Sequence, residues 1–115
     1  MKFQFAVPIL YAANVAESLR YFTEVLGFEG HWGWENPPTF GGVYREHVAI
    51  YFCEGGQGQP GTWLAVNLEN VDEYYEEIKT KGAKILSAPE DKEWHMREML
   101  VEAPDGHMIR FGHRI

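Results

Sequence analysis

Basic residues are scarce in this 115-residue chain: 10 Lys and Arg stand against 17 Asp and Glu, for a formal net charge of -7. A phosphate backbone repels such a surface and no basic stripe interrupts it, which argues against nucleic-acid partners. Cysteine is nearly absent. Cys53 alone cannot form an intrachain disulfide, and there is no cysteine cluster to build a structural zinc site. Long apolar runs are missing too, since nothing approaches the roughly 18–20 residues that a membrane-spanning helix needs. The stretch from Met1 to Ala13 has a charge followed by apolar residues, but Gln4 and Pro8 interrupt it. Cleavage after Ala13 would remove what reads as a strand, so a secretory leader is rejected and a cytoplasmic location expected.

Aromatic side chains are what the chain has in excess, with 4 Trp, 6 Tyr and 7 Phe. A domain this small cannot bury so many large apolar rings, so some are expected to line a cleft or a subunit interface. The length suits one domain, residues 1–115.

That domain reads as a duplication. Asn14-Val15-Ala16-Glu17 and Asn70-Val71-Asp72-Glu73 both place an asparagine cap three residues before a glutamate, a helix-start pattern. Apolar stripes follow, Leu19, Phe22, Val25 and Leu26 in the first and Val71, Tyr74, Tyr75 and Ile78 in the second. Each helix is predicted to run about three turns and stop at a glycine, Gly27 or Gly82. The caps stand 56 positions apart and the glycines 55, close to half the chain. Half-repeats of about 1–54 and 62–115 are therefore expected, joined by the glycine-rich stretch 54–61.

Strands are predicted before each helix, at Val7–Ala12 and Trp63–Leu68. After the first helix they fall at Phe28–Trp34, Phe40–Tyr44 and His47–Cys53, and after the second at Lys84–Leu86, Arg97–Val101 and His107–Gly112. Pro104-Asp105-Gly106 supplies turn chemistry before the last of these. Period-two alternation puts Leu64, Val66 and Leu68 on one face, with Trp63, Ala65 and Asn67 opposite; Ile109 and Phe111 oppose Met108 and Arg110. A sheet face carrying Trp, Asn and Arg has the mixture that ligand clefts use.

A duplicated strand–helix–three-strand unit ending in a Pro-Asp-Gly turn resembles the vicinal oxygen chelate superfamily. That group includes glyoxalase I, extradiol dioxygenases, fosfomycin-modifying enzymes and bleomycin-binding resistance proteins. The segments that carry the resemblance are Asn14 to Phe22 with Val25-Leu26-Gly27-Phe28, and Trp94-His95-Met96-Arg97-Glu98-Met99 leading into Pro104-Asp105-Gly106. His95, Met99 and Ala103 depart from the usual pattern. The resemblance implies an α+β fold of two βαβββ modules forming a curved mixed sheet around a cleft, and a homodimer with the cleft between subunits. It also implies where metal-using members hold their ion, at positions that here carry Val7, Trp63, Arg110 and, nearest in the first half, Ile50. Valine and tryptophan offer no donor and arginine brings positive charge, so neither a metal nor another cofactor is expected.

The functional expectation is a binding protein, with no catalytic residue assigned and enzymatic activity left open. It would sequester a bleomycin-like or other aromatic or cationic small molecule in an aromatic cleft. The expected ligand-binding residues are Trp34, Phe40, Ile50, Trp63, Trp94, Arg97 and Arg110. Trp94 matches the position whose aromatic stacks on the drug in bleomycin-binding relatives, and a flat cation favours an indole face. Arg97 and Arg110 read as polar anchors or as structural ion pairs, Arg110 with Glu98 or a ligand carboxylate. His107 reads as a solvated hairpin residue, and Cys53 as a buried, inert thiol. The rival readings are a lyase, isomerase or dioxygenase with a relocated or absent metal, and a metabolite-sensing domain.

Overall fold

The computed structural model describes residues 1–115. Local chemistry starts both helices. Asn14 and Asn70 sit in extended conformation, and their side-chain oxygens accept hydrogen bonds from the backbone N–H groups of Glu17 and Glu73, each at 3.1 Å. Those bonds satisfy N–H groups that the first helical turn leaves without partners. Helix α1 (Val15–Arg20) widens into a π-helical turn, Tyr21–Val25, where the Leu26 N–H reaches back to the Tyr21 carbonyl at 3.1 Å. Helix α2 (Val71–Ile78) ends short of Gly82. Leu19, Phe22 and Leu26 from the first stripe, and Val71, Tyr74 and Ile78 from the second, are buried.

Eight strands complete two modules. In the first, β1 (Ile9–Tyr11), β2 (Glu29–Trp34), β3 (Phe40–Arg45) and β4 (Val48–Cys53) form a sheet of order β1-β4-β3-β2. In the second, β5 (Trp63–Asn67), β6 (Lys84–Lys92), β7 (Met96–Ala103) and β8 (His107–Arg114) repeat it as β5-β8-β7-β6. The pairs β1–β4 and β5–β8 are parallel and the others antiparallel. The fold is thus α+β with two βαβββ modules, each a mixed four-stranded sheet. Two lengths differ from expectation. Strand β6 runs to Lys92 by absorbing two register shifts, between Ile85 and Ser87 and between Ser87 and Glu90. Strand β1 is short, and residues 1–8 belong to no element.

The helix-bearing faces of the two sheets share one apolar core of 18 buried residues, among them Leu10, Phe22, Phe52, Tyr74, Ile78 and Phe111. Polar groups tie the modules across it. The Tyr74 hydroxyl donates to the Leu26 carbonyl at 2.6 Å, and the Tyr21 hydroxyl donates to the Glu102 carbonyl at 3.0 Å while accepting from the Lys84 N–H. Arg45 forms a two-pronged ion pair with Glu77, at 2.6 and 2.9 Å. His107 corrects the sequence reading: it is 1% exposed rather than solvated. Its Nδ1 accepts from the Thr62 N–H at 3.1 Å, which leaves Nε2 to carry the hydrogen donated to the Tyr11 carbonyl at 2.7 Å. No helix is long and apolar enough to cross a membrane.

Candidate ligand-binding walls

Because the helices lie on the shared core, each sheet keeps a helix-free face. Strand alternation decides which side chains reach them.

On the second sheet the helix-free face carries Trp63 and Ala65 from β5, Met108 and Arg110 from β8, and Glu98 and Leu100 from β7. Trp94 stands in the turn between β6 and β7. The Arg110 Nη2 donates to both carboxylate oxygens of Glu98, at 3.0 and 2.9 Å. The same guanidinium lies 5.7 Å from the centre of the Trp94 ring, within cation–π range. Glu98 is only 8% exposed, whereas Trp63 and Trp94 are 59% and 52% exposed, so the carboxylate is a support and the indoles are the presented surface. Trp63, Trp94, Arg110, Glu98, Leu100 and Lys92 help line a hollow of about 290 Å³. Two larger hollows, about 460 Å³ beside α1 and about 520 Å³ at the module junction, contain no tryptophan.

On the first sheet the corresponding face is a cluster of rings. Trp32, Phe40 and Tyr51 sit with centroids 5.4–5.8 Å apart in tilted and edge-to-face arrangements. Gly42 lies beneath them. A Cβ there would come within 2.8 Å of the Tyr51 ring and 2.9 Å of Trp32, so only glycine lets the rings rest on the backbone. Trp34, 68% exposed, and Tyr44 extend the wall.

Of the seven residues expected from sequence, Trp34 and Phe40 lie on the first wall, and Trp63, Trp94 and Arg110 on the second. Within one chain the two groups are not brought together. Ile50 is a correction: it is 1% exposed, faces Val43 across the ladder and packs in the core, leaving Ala49 and Tyr51 on the wall. Counting from the repeat had missed the phase of the strand by one residue. Arg97 is the second correction. Glu98 takes the helix-free side, so alternation sends Arg97 to the other, where it donates to Asp72 at 2.9 Å and Asp91 at 3.0 Å. Those carboxylates drive the guanidinium pKa further up, and Arg97 in turn holds Asp72 below the usual carboxylate range. Trp32, Tyr51 and Gly42 were absent from the expected set. The alternation Trp32-Gly33-Trp34 was the signal that would have paired the first of them with Trp34.

The positions that the resemblance implies for an ion do not fit one here. Val7, Trp63 and Ile50 have no donor, Arg110 is cationic, and no three His, Cys, Asp or Glu side chains converge anywhere in the molecule. Cys53 is buried and free, its thiol 2.9 Å from the Gly55 carbonyl.

The profile of the Glyoxalase/Bleomycin resistance protein/Dioxygenase superfamily matches residues 4–111. No curated protein matches the chain in sequence. Among solved structures, TioX from Micromonospora sp. ML1 superposes with a TM-score of 0.84 at 19% identity, over 98% of this chain and 100% of that one. A glyoxalase-related enzyme from Clostridium phytofermentans gives 0.81 at 17% identity, over 100% and 98%. The bleomycin-binding protein from bleomycin-producing Streptomyces verticillus, complexed with copper(II)-bleomycin, gives 0.80 at 23% identity, over 96% of each chain.

Proposed function

Since the chain belongs to the glyoxalase/bleomycin resistance protein/dioxygenase superfamily, we propose that it sequesters a planar aromatic small molecule, without a metal and without breaking a bond. Bleomycin-like compounds are the first class to try, because the similar Streptomyces verticillus protein is one that binds bleomycin. The observation that carries the reading is the arrangement of Trp63 and Trp94 around the Arg110–Glu98 pair, two half-exposed indoles beside one hollow. An exposed indole gains free energy when an aromatic ligand covers it, and a ring bearing positive charge gains about 0.5–2 kcal/mol more per cation–π contact. The net charge of -7 draws a cationic ligand in at long range.

The hollow beside Trp63 and Trp94 is lined by second-sheet residues alone, and in this reading the first-sheet wall of another copy completes the ligand site. Trp32, Phe40 and Tyr51 then close over the compound that Trp63 and Trp94 hold.

The test is tryptophan fluorescence during titration with metal-free bleomycin. The reading expects a saturable change at one ligand per subunit with micromolar affinity or better, about −8 kcal/mol or stronger, and its loss in Trp94→Ala. A flat titration removes bleomycin as the ligand. A response that survives Trp94→Ala unchanged removes the proposed site.

A further inference from the structure

The charges that line the Trp63–Trp94 hollow run against those of the molecule as a whole. Across the chain acids outnumber bases, for a net charge of -7. The two larger hollows follow that excess. The one beside α1 sets Arg20 against Glu24 and Glu35, and the one at the module junction sets Arg45 against four glutamates. The hollow with the tryptophans has Lys92 and Arg110 and a single acid, Glu98. Exposed charges more than about 8 Å apart are largely screened at physiological salt, so a bound molecule answers to the nearest charges rather than to the total.

Neither cation is used up by its partner. Both hydrogen bonds from Arg110 to Glu98 leave from one nitrogen, Nη2. A guanidinium has five N–H donors, so those on Nε and Nη1 remain for a second acceptor, and the Arg110 side chain is 40% exposed. Lys92 pairs with Glu90, but the Glu90 carboxylate is well exposed and stands outside the lining of the hollow, so that pair is weak.

The groups that would welcome a cation are, by contrast, already committed. Glu98 is buried with both oxygens held by Arg110, and offers a ligand no free carboxylate. The Arg110 guanidinium also lies over the Trp94 ring, 5.7 Å from its centre, where it takes up the negative face of the indole. A second cation stacked on the other face of that ring would meet a π-cloud drawn toward Arg110 and would be repelled by the guanidinium itself. A ring carrying negative charge meets neither penalty.

We propose, resting on this hollow as the ligand site, that its ligand is an aromatic acid. The flat ring covers Trp63 and Trp94 while its carboxylate accepts from the unused N–H groups of Arg110, with Lys92 beside it. Arg110 then bridges two carboxylates, one from the protein and one from the ligand. Glu98 is a positioning residue: it holds Nη2 and leaves the other two nitrogens to the ligand. Charge-assisted bonds to a guanidinium are the strong ones, and they set the sign of what the hollow accepts.

Isothermal titration calorimetry of the full chain tests this with three naphthalenes of one shape: naphthoate, neutral naphthamide and naphthylmethylammonium. At neutral pH and about 50 mM salt, where screening is mild, naphthoate is expected to bind about 10-fold or more tightly than the ammonium compound, with the amide between them. The double variant Arg110→Met/Glu98→Gln removes the bridge without stranding a charge, and naphthoate is expected to fall to the affinity of the amide. Trp63→Ala, at an exposed position, is expected to weaken all three alike, which separates the seat of the ring from the seat of the charge. Naphthoate binding beside a flat bleomycin titration supports the acid and removes only bleomycin. An ammonium compound that binds as well as naphthoate overturns the acid and leaves the aromatic site standing. Naphthoate that keeps its advantage in the folded double variant overturns Arg110 as its anchor. If none of the three binds, the acid and the hollow as an aromatic site fall together. If the double variant does not fold, the comparison on the parent chain decides.

Discussion

Removing Arg110 and removing Glu98 should have unequal costs, and the inequality follows from burial. The Glu98 side chain is 10% exposed and the Arg110 side chain 40%, though they share the same two hydrogen bonds. In Arg110→Met the carboxylate stays where it is, nearly sealed from water, with no partner. Leaving one member of a buried pair uncompensated costs on the order of 3 kcal/mol. In Glu98→Gln the guanidinium remains but already reaches solvent, keeps the amide oxygen as an acceptor and hydrates the rest; a cost of about 1 kcal/mol is expected. For a domain of this length those figures correspond to Tm losses of roughly 12 °C and 4 °C. Urea unfolding followed by far-ultraviolet circular dichroism measures both, provided the slope m is common to the variants. The double variant Arg110→Met/Glu98→Gln removes the stranded charge and should be more stable than Arg110→Met alone. Equal losses in the two single variants, or a larger loss in Glu98→Gln, would refute the assignment of Glu98 as the buried support and Arg110 as the hydrated partner.

Three further outcomes follow from the geometry. Tyr74→Phe keeps the ring, 4.9 Å from Phe111, but loses the hydroxyl bond to the Leu26 carbonyl, which retains only a longer contact from Arg45 at 3.3 Å; about 1 kcal/mol should be lost in urea unfolding. The Arg45 guanidinium holds the Glu77 carboxyl below its ordinary pKa. That stabilisation is present above the unfolded carboxylate pKa and is lost as pH falls through the lower folded value. The stability gap between the parent chain and Glu77→Gln, under about 1 kcal/mol for so exposed a pair, should therefore be full at neutral pH and close in acid. Gly42→Val drives a side chain into Tyr51 and Trp32; a loss of about 1–3 kcal/mol and a red-shifted emission as Trp32 is displaced are the expected signs.

What could be read from the sequence was what short-range chemistry determines. The asparagine caps work within three residues, so the repeat and both helix starts were legible at Asn14 and Asn70. Phase was harder. Ile50 was assigned to the wall, but only the ladder with Val43 fixes it in the core, because a one-residue slip exchanges the two faces. His107 looked solvated because the partners that bury it, Thr62 and Tyr11, lie 45 and 96 residues away. Nothing local revealed that the helices of both modules share one core. The separation of Trp34 and Phe40 from Trp63 and Trp94 was therefore invisible, although Trp34, Phe40 and Trp63 were each placed on a strand.

The polar ties across the core have a consequence for how the molecule comes apart. Tyr21 is rooted in one repeat and hydrogen-bonded to the backbone of the other; His107 and Tyr74 do the same in the opposite direction. If one repeat loosens, carbonyls and a hydroxyl of its twin lose their partners at the moment its apolar face is wetted. The two repeats should therefore share a single cooperative unfolding event. Slow amides in β4 and in β8 should exchange at the same free energy, with no half-molten species between. An inheritance in two copies has become, in energetic terms, one indivisible unit.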